Sequence, residues 1–324
     1  MNSPSLSIII PVYNVEPYIR LCMESVFRQG LDESDFEVII VNDGTKDRSI
    51  EVIADIITNH PNITVINQEN RGEYVARNVG LEKAQGTYIY MLDPDDMLID
   101  NALSYLLEKA KATGVDLVFA DYLEFDHKLY ENIQQVSIVQ KDGKAVEKTG
   151  EELLLQDQNP YHCYLWRSLF RRQFLLDNHQ TFFPTNMCMD FLFLHECYLK
   201  AKRCLRVSWL VYVYRKSRPL AVTAFYNAKK GEGMGIVIGK TWELTQMNYS
   251  PQVILKLKDD IFTLFRSNVR SLSQLSDSSE RRHVMDFMKE KAPGLSFSHG
   301  NLQRMYTFLY RYMPNVLMRF SRYF

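Results

Sequence analysis

The chain opens with short, continuous apolar runs separated by stretches whose apolar residues recur every three or four positions. Leu6–Ile10 is a β-branched run ended by Pro11, and Phe36–Val41, Ile63–Ile66, Tyr88–Leu92 and Leu117–Ala120 repeat the pattern. Between them, Tyr18–Gln29, Arg48–Asn59, Tyr74–Ala84 and Asn101–Thr113 read as helices; in the first, Ile19, Met23, Val26 and Phe27 fall on one face. Apolar strands alternating with amphipathic helices predict an α/β architecture, with a mostly parallel sheet covered by helices on both faces. Right-handed crossovers bring the carboxyl ends of such strands to one edge, where these sheets bind ligands. Tyr13-Asn14, Asn42-Asp43 and Asp93-Pro94-Asp95-Asp96 all fall at that edge.

The pattern changes near residue 123. Residues 126–150 are polar and charged, as in a loop or irregular hairpin. Leu165–Asn178 and Asp190–Ala201 have helical spacing, Val207–Tyr214 reads as a strand, and from about 227 the signals are helical only. The chain therefore divides into regions 1–122, 123–226 and 227–324.

Composition narrows the class. With 46% hydrophobic and 24% charged residues, the chain has the make-up of a soluble globular protein with a substantial core. A formal net charge of −1 provides no global field for nucleic acid, and none is expected as a partner. The five cysteines (Cys22, Cys163, Cys188, Cys197, Cys204) match no zinc or disulfide framework and read as reduced core thiols. The opening run Ser5-Leu-Ser-Ile-Ile-Ile lacks the parts of a signal peptide, and no uncharged apolar stretch reaches the roughly 18 residues of a membrane span. The expected location is the cytoplasm.

At the strand ends, Asp93 and Asp95 stand two apart, so strand geometry would aim both carboxylates to one side. Converging carboxylates repel unless a cation or proton lies between them, and Mg²⁺ or Mn²⁺ binds through a few carboxylates together with substrate phosphate oxygens. The competing reading is an acidic turn that caps the helix at Asn101. Asp43 can accept from a uracil ring or close an Asx turn on its own backbone. No G-x-G-x-x-G follows the first strand and no G-x-x-x-x-G-K-[ST] is present, which disfavours dinucleotide oxidoreductases and P-loop NTPases.

Read in order, Ser7-Ile-Ile-Ile-Pro-Val-Tyr-Asn14, Val41-Asn-Asp-Gly-Thr-Lys-Asp47, Asn70-Arg-Gly72, Ala76-Arg-Asn-Val-Gly80, Ala84-Gln-Gly86 and Tyr88-Ile-Tyr-Met-Leu-Asp-Pro-Asp-Asp96 closely resemble the family 2 glycosyltransferases. The resemblance is dense over residues 5–122 and looser to about 225. It implies a GT-A fold, with a Rossmann-like nucleotide-sugar-binding half, an acceptor half and a helical C-terminal region. The implied activity is metal-dependent, inverting hexosyl or N-acetylhexosaminyl transfer from a nucleoside diphosphate sugar, a UDP-sugar first, to an acceptor hydroxyl. Cell-surface polysaccharide or lipid-linked glycan synthesis is the implied setting. By the same resemblance Pro11, Tyr13 and Asp43 meet the nucleoside, and Asp93 and Asp95 meet the ribose and the metal-bound diphosphate. Arg77 and Asn78 help to wall the donor site, unless Arg77 is an exposed helix residue.

Asp190, in Met189-Asp-Phe-Leu-Phe193, stands where the family supplies its base and can also cap a helix. Met189 replaces a customary Glu, and Asn42 replaces the first Asp of the D-D-G-S pattern. His195 lies too far around the helix from Asp190 to act with it and reads as structural. Tyr164–Arg172 resembles an acceptor-side helix, in which Trp166 can stack on a sugar or pack in the core. Two alternatives stay open: a sugar nucleotidyltransferase, whose glycine-rich triphosphate loop is missing after the first strand, and an inactive nucleotide-sugar-binding module.

Residues 300–324 hold Arg304, Arg311, Arg319 and Arg322 and no acidic residue, with Met305, Phe308, Leu309 and Tyr312 at helical spacing. Such a segment can lie peripherally on an anionic membrane or dock on the protein itself or a second copy.

Overall fold

The computed structural model describes residues 3–126, 138–140, 142–156, 163–185, 187–216 and 226–319. The chain forms two compact units: Met1–Leu153 with Tyr164–Pro184 and Cys197–Pro219, and Leu154–Cys163 with Thr185–Glu196 and Leu220–Phe324.

The first unit begins β1 (Leu6–Val12), α1 (Ile19–Val26), β2 (Phe36–Asn42), α2 (Ala54–Asn59), β3 (Ile63–Asn67), α3 (Glu73–Lys83), β4 (Tyr88–Met91), β5 (Met97–Leu98), α4 (Ala102–Thr113) and β6 (Leu117–Asp126). It continues with β7 (Ala145–Lys148), α5 (Gly150–Gln156, its residues from Leu154 in the second unit), β8 (Ser168–Arg171), α6 (Arg172–Asp177), α7 (Met189–Lys200, its residues to Glu196 in the second unit) and β9 (Cys204–Lys216). All the strands join one sheet in the order β3-β2-β1-β4-β8-β6-β9-β5, with β7 on β9. Strands β3, β2, β1 and β4 are mutually parallel, so their carboxyl ends share an edge. The core lies between this sheet and its helices: every β1 residue is buried, and Leu6, Ile8, Ile10 and Val12 share one cluster with Ile19, Cys22 and Met23 of α1 and Leu103, Leu106 and Leu107 of α4. Gly80 lets α3 lie directly on Ile9, since a Cβ there would collide with that side chain.

Two expectations are corrected. The first strand does not stop before Pro11 but runs through it to Val12. The carbonyl of Ile9 accepts from Leu92 and that of Val12 from Asp43, so alternate residues face β4 and β2. Pro11 faces the β4 side at a level where β4 no longer pairs, and its missing N–H costs no ladder bond. The segment 165–178 is not one helix. Leu165–Arg167 is a 3₁₀ turn, Ser168–Arg171 is a strand, and only Arg172–Asp177 is helical. Strand β8 inserts antiparallel between β4 and β6 and completes both ladders, a long-range pairing that local spacing does not encode. The boundary drawn at 122 falls inside β6, and the regions on either side share the sheet. Of the polar segment 126–150, residues 127–137 and 141 lie outside the described residues, while β7 pairs with β9.

The second unit is helical: α8 (Ala228–Leu244), α9 (Pro251–Ser271), α10 (Ser278–Lys291), α11 (Gly300–Tyr312) and α12 (Pro314–Arg319). Its helix starts carry ordinary signals. Asn227, Ser250 and Asp277 each accept a backbone N–H at an N-cap, and Pro251 opens α9. No described helix is long and apolar enough to cross a membrane.

Candidate functional site

The loops at the carboxyl ends of β1, β2 and β3 are tied together. Asn14, in the left-handed region at φ 51°, accepts from the Lys46 amide, and its own amide donates to Thr45 Oγ1 at 2.8 Å. Asn42 bridges to Asn67 across β2 and β3 and accepts from the Thr45 amide. Pro11 is buried beneath this rim, while Tyr13 stands exposed on it.

Asp43, expected at the nucleoside, is turned to the next loop. It is buried, and its carboxylate accepts from the Gln68 side chain (2.6 Å) and from the Arg71 and Gly72 amides (2.8 Å each). Asp43 therefore holds the Asn70-Arg71-Gly72 loop at the entrance to α3. Asn78 is committed in the same way: its carboxamide donates to the Phe182 carbonyl and accepts from the Phe182 amide. Both residues shape the wall around the strand edge through backbone groups.

The acidic segment lies one strand over. Strand β4 ends at Met91, so Asp93–Asp96 is not strand but a turn, closed by the Asp96 amide on the Asp93 carbonyl at 3.3 Å. Period-two geometry thus does not orient these side chains. The turn does not cap α4 either: β5 intervenes, and Asp96 is held from the far end of β9. Its buried carboxylate accepts from Tyr212 Oη (2.8 Å) and the Arg215 amide (2.7 Å), while Arg215 Nε donates to the Asp95 carbonyl (2.8 Å) and the guanidinium covers the Tyr18 ring at 4.7 Å. Asp96 anchors the turn and Asp95 stays partly exposed.

Arg77 is not an exposed helix residue. Only 2% of it is accessible; it pairs with Asp93 and with Glu73 (2.7 Å) and lies over the Tyr74 and Phe182 rings at 5.6 and 5.9 Å. Burial pushes the Asp93 carboxyl up to about 6, against the pull of Arg77 and with further push from Glu73 and Asp95. Burial, then the Asp95 and Asp93 charges, holds Asp96 well above the carboxylate range. The turn is thus a crowded acidic centre beside two buried arginines. Among the described residues no group of three or more His, Cys, Asp or Glu is assembled to hold a metal. Any cation here would rest on Asp95 and Asp93 with oxygens from a bound phosphate.

Trp166 is a core residue. It is 2% exposed, stacks on Tyr212 at 4.0 Å and Tyr164 at 4.5 Å, and leaves no face for a sugar. The 3₁₀ turn that carries it replaces the expected acceptor-side helix.

In the second unit, Asp190 occupies the first turn of α7, where the helix dipole favours its carboxylate. Burial and the Asp190 charge push the Cys188 thiol up to about 12. His195 is buried, with Nδ1 2.7 Å from the Phe191 carbonyl and Nε2 3.0 Å from Asp260, whose carboxylate also accepts from Lys256 at 2.6 Å. This bolts α7 to α9. All five cysteines are free thiols.

A parallel sheet carrying this acidic turn at the end of β4 matches the model of glycosyl transferase family 2 over residues 7–187. The chain belongs to that family. Among curated relatives, EpsJ, an uncharacterized glycosyltransferase of Bacillus subtilis, is 34% identical over 66% of this chain, which covers 62% of EpsJ. The minor teichoic acid biosynthesis protein GgaA of Bacillus subtilis is 28% identical over 69% of this chain and 50% of its own length. Among solved structures, S. aureus TarS 1–349 in complex with UDP-GlcNAc aligns over 98% of this chain and 90% of its own with a TM-score of 0.75, at 21% identity. The likeness to TarS establishes the fold, a mixed sheet of GT-A type with a helical C-terminal region.

Arg215, Tyr212 and Tyr18 were not identified as site residues by sequence reasoning. The only trace is the basic and aromatic end of Val211-Tyr-Val-Tyr-Arg215, whose partner Asp96 lies more than a hundred residues earlier.

Proposed function

We propose that this family 2 protein moves a sugar from a nucleoside diphosphate sugar, a UDP-sugar first, to an acceptor hydroxyl with inversion at the anomeric carbon. The observation that carries this is the acidic turn Asp93–Asp96 at the carboxyl end of β4, beside the rim bearing Tyr13 and held by Arg77 and Arg215. The TarS complex with UDP-GlcNAc supports the choice of uridine and of an N-acetylhexosaminyl donor.

In this reading the nucleoside rests against Tyr13 above Pro11, and Asp43 and Asn78 keep the surrounding loops in place. Asp95, with Asp93, would hold Mg²⁺ or Mn²⁺; hard oxygen donors suit such an ion, and the crowding of Asp93 by Glu73 and Asp95 is what a cation relieves. When bound, the ion offsets the charge of the departing diphosphate. Arg77 limits the repulsion on Asp93. Asp190 takes the proton of the acceptor O–H as that oxygen attacks the anomeric carbon and the bond to the diphosphate oxygen breaks. The similarity to GgaA, a minor teichoic acid biosynthesis protein, supports an acceptor among cell-surface glycans or their lipid-linked precursors.

A donor-hydrolysis and binding screen over UDP-, GDP- and dTDP-sugars with Mn²⁺ or Mg²⁺ tests the reading. Metal-assisted turnover or binding with one donor class, lost in Asp95→Ala, is expected. No metal-dependent binding or turnover with any donor sinks it.

A further inference from the structure

Helix α11 has two apolar faces, and among the described residues only one is packed. Gln303, Tyr306 and Tyr310 are buried; Tyr306 and Tyr310 pack edge-on against Phe265 at 6.2 and 5.0 Å, and Tyr306 against Phe262 at 5.3 Å. That aromatic cluster docks α11 on α9. The other apolar stripe, Leu302, Met305, Phe308 and Tyr312 with Met313 just beyond, is exposed; Phe308 is 52% and Tyr312 71% accessible. Met305, Phe308 and Tyr312, set apart by their helical spacing, therefore form the outward stripe, while Tyr306 and Tyr310 do the docking. Large apolar side chains at contiguous helical positions in water mark an interaction surface.

Charge identifies the occupant. Arg304 and Arg311 lie seven residues apart, two turns along the helix, and both are exposed. Their guanidiniums donate to the Ser298 and Gly294 carbonyls at 3.3 and 3.1 Å, which anchors them at the helix surface. Residues 300–319 contain no acidic side chain. Residues 226–324 carry fifteen Lys and Arg against eight Asp and Glu, a formal +7, whereas residues 1–225 carry 23 against 31, a formal −8. The chain's net charge of −1 thus conceals a strongly basic helical region. A second copy meeting this face across a two-fold axis would set helices that bear arginines and no acidic residue against each other. Nucleic acid would engage the arginines but leave Leu302 and Met305 of the stripe in water.

We propose that the exposed face of α11 docks this protein peripherally on an anionic lipid bilayer. Leu302, Met305, Phe308 and Tyr312 enter the boundary between headgroups and acyl chains, and Arg304 and Arg311 lie among the anionic headgroups. The inference is independent of the transfer chemistry, though it would bring the enzyme to a lipid-linked acceptor.

The test is flotation of the full chain with phosphatidylcholine vesicles, and with the same vesicles enriched in phosphatidylglycerol, at low and high salt. The chain should float with the anionic vesicles, weakly with the neutral ones, and less as salt screens the arginines. Phe308→Glu with Tyr312→Glu should cut partitioning more than about tenfold. Arg304→Gln and Arg311→Gln should each cut it roughly fivefold and flatten the salt dependence. All these side chains are exposed, and an unchanged circular dichroism melt shows that the variants fold. Three results overturn the proposal: no flotation of the wild type at low salt, flotation of the double glutamate variant at the wild-type level, or a wild-type dimer in sedimentation that this variant dissolves while vesicle binding is absent. Donor binding measured on the same variants is expected to be unaltered, so a failure here leaves the transferase reading standing.

Discussion

Replacing Arg77 by Met removes one guanidinium and tests whether the acidic turn is built as described. Arg77 is buried against Asp93, Glu73, Tyr74 and Phe182. Losing the half-exposed Glu73 pair should cost only a few tenths of a kcal/mol. Losing the two ring contacts costs about 0.5–1 kcal/mol each, and the Met side chain recovers part of that by packing. The large contribution is Asp93, which loses its counter-ion while still crowded by Asp95, and stripping one partner from a buried pair costs about 3–5 kcal/mol.

The cost carries a pH signature. The Asp93 carboxyl already sits at about 6, above its unfolded value, and without Arg77 it rises further. A carboxyl raised on folding binds its proton more tightly in the folded state. Its contribution to stability is complete below the unfolded value and is lost as pH rises through the folded one. Arg77→Met should therefore cost least near pH 5 and most near pH 8, and Arg77→Met with Asp93→Asn should recover most of the loss. Urea titrations followed by tryptophan fluorescence at the two pH values measure this, since Trp166 and Trp209 both report on the first unit. A loss at pH 8 under about 1 kcal/mol, or the same loss in the Asp93→Asn background, would refute the reasoning.

Four further outcomes are expected. Asp190→Asn should leave donor binding intact and lower transfer by at least on the order of 10², read from kcat against donor affinity; full activity would remove Asp190 as the base. Metal-assisted donor binding, followed by calorimetry, should strengthen as pH rises through about 6 while Asp93 ionises, and this pH dependence should flatten in Asp93→Asn. Trp166→Ala should destabilise the first unit by about 3–5 kcal/mol, whereas Trp166→Phe should leave the acceptor KM unchanged; a raised KM would restore a sugar-stacking role. Asp43→Ala should release the 70–72 loop at a cost of about 2–4 kcal/mol and expose it to proteolysis, since three hydrogen bonds to a buried carboxylate are lost.

The amino-acid pattern alone determined the parallel half of the sheet. Strand and helix periodicities are local, and the handedness of crossovers then places Tyr13, Asn42-Asp43 and Asp93–Asp96 at the ends of adjacent strands. The ordered motifs implied the family, and the helical character of the C-terminal region was plain from its spacing and caps. What the side chains at that edge do was decided only in three dimensions. Strand β8 appears because β4 and β6 leave a gap between two ladders, which no spacing within 165–178 records. Asp43 turns to amides 28 and 29 residues away, Asn78 to a backbone 104 away, and Asp96 to partners 116 and 119 away. Local propensity reports which elements form, but partners so distant are chosen by the packing of whole elements, and those partners decide whether a carboxylate is free for a ligand or already spent on the fold.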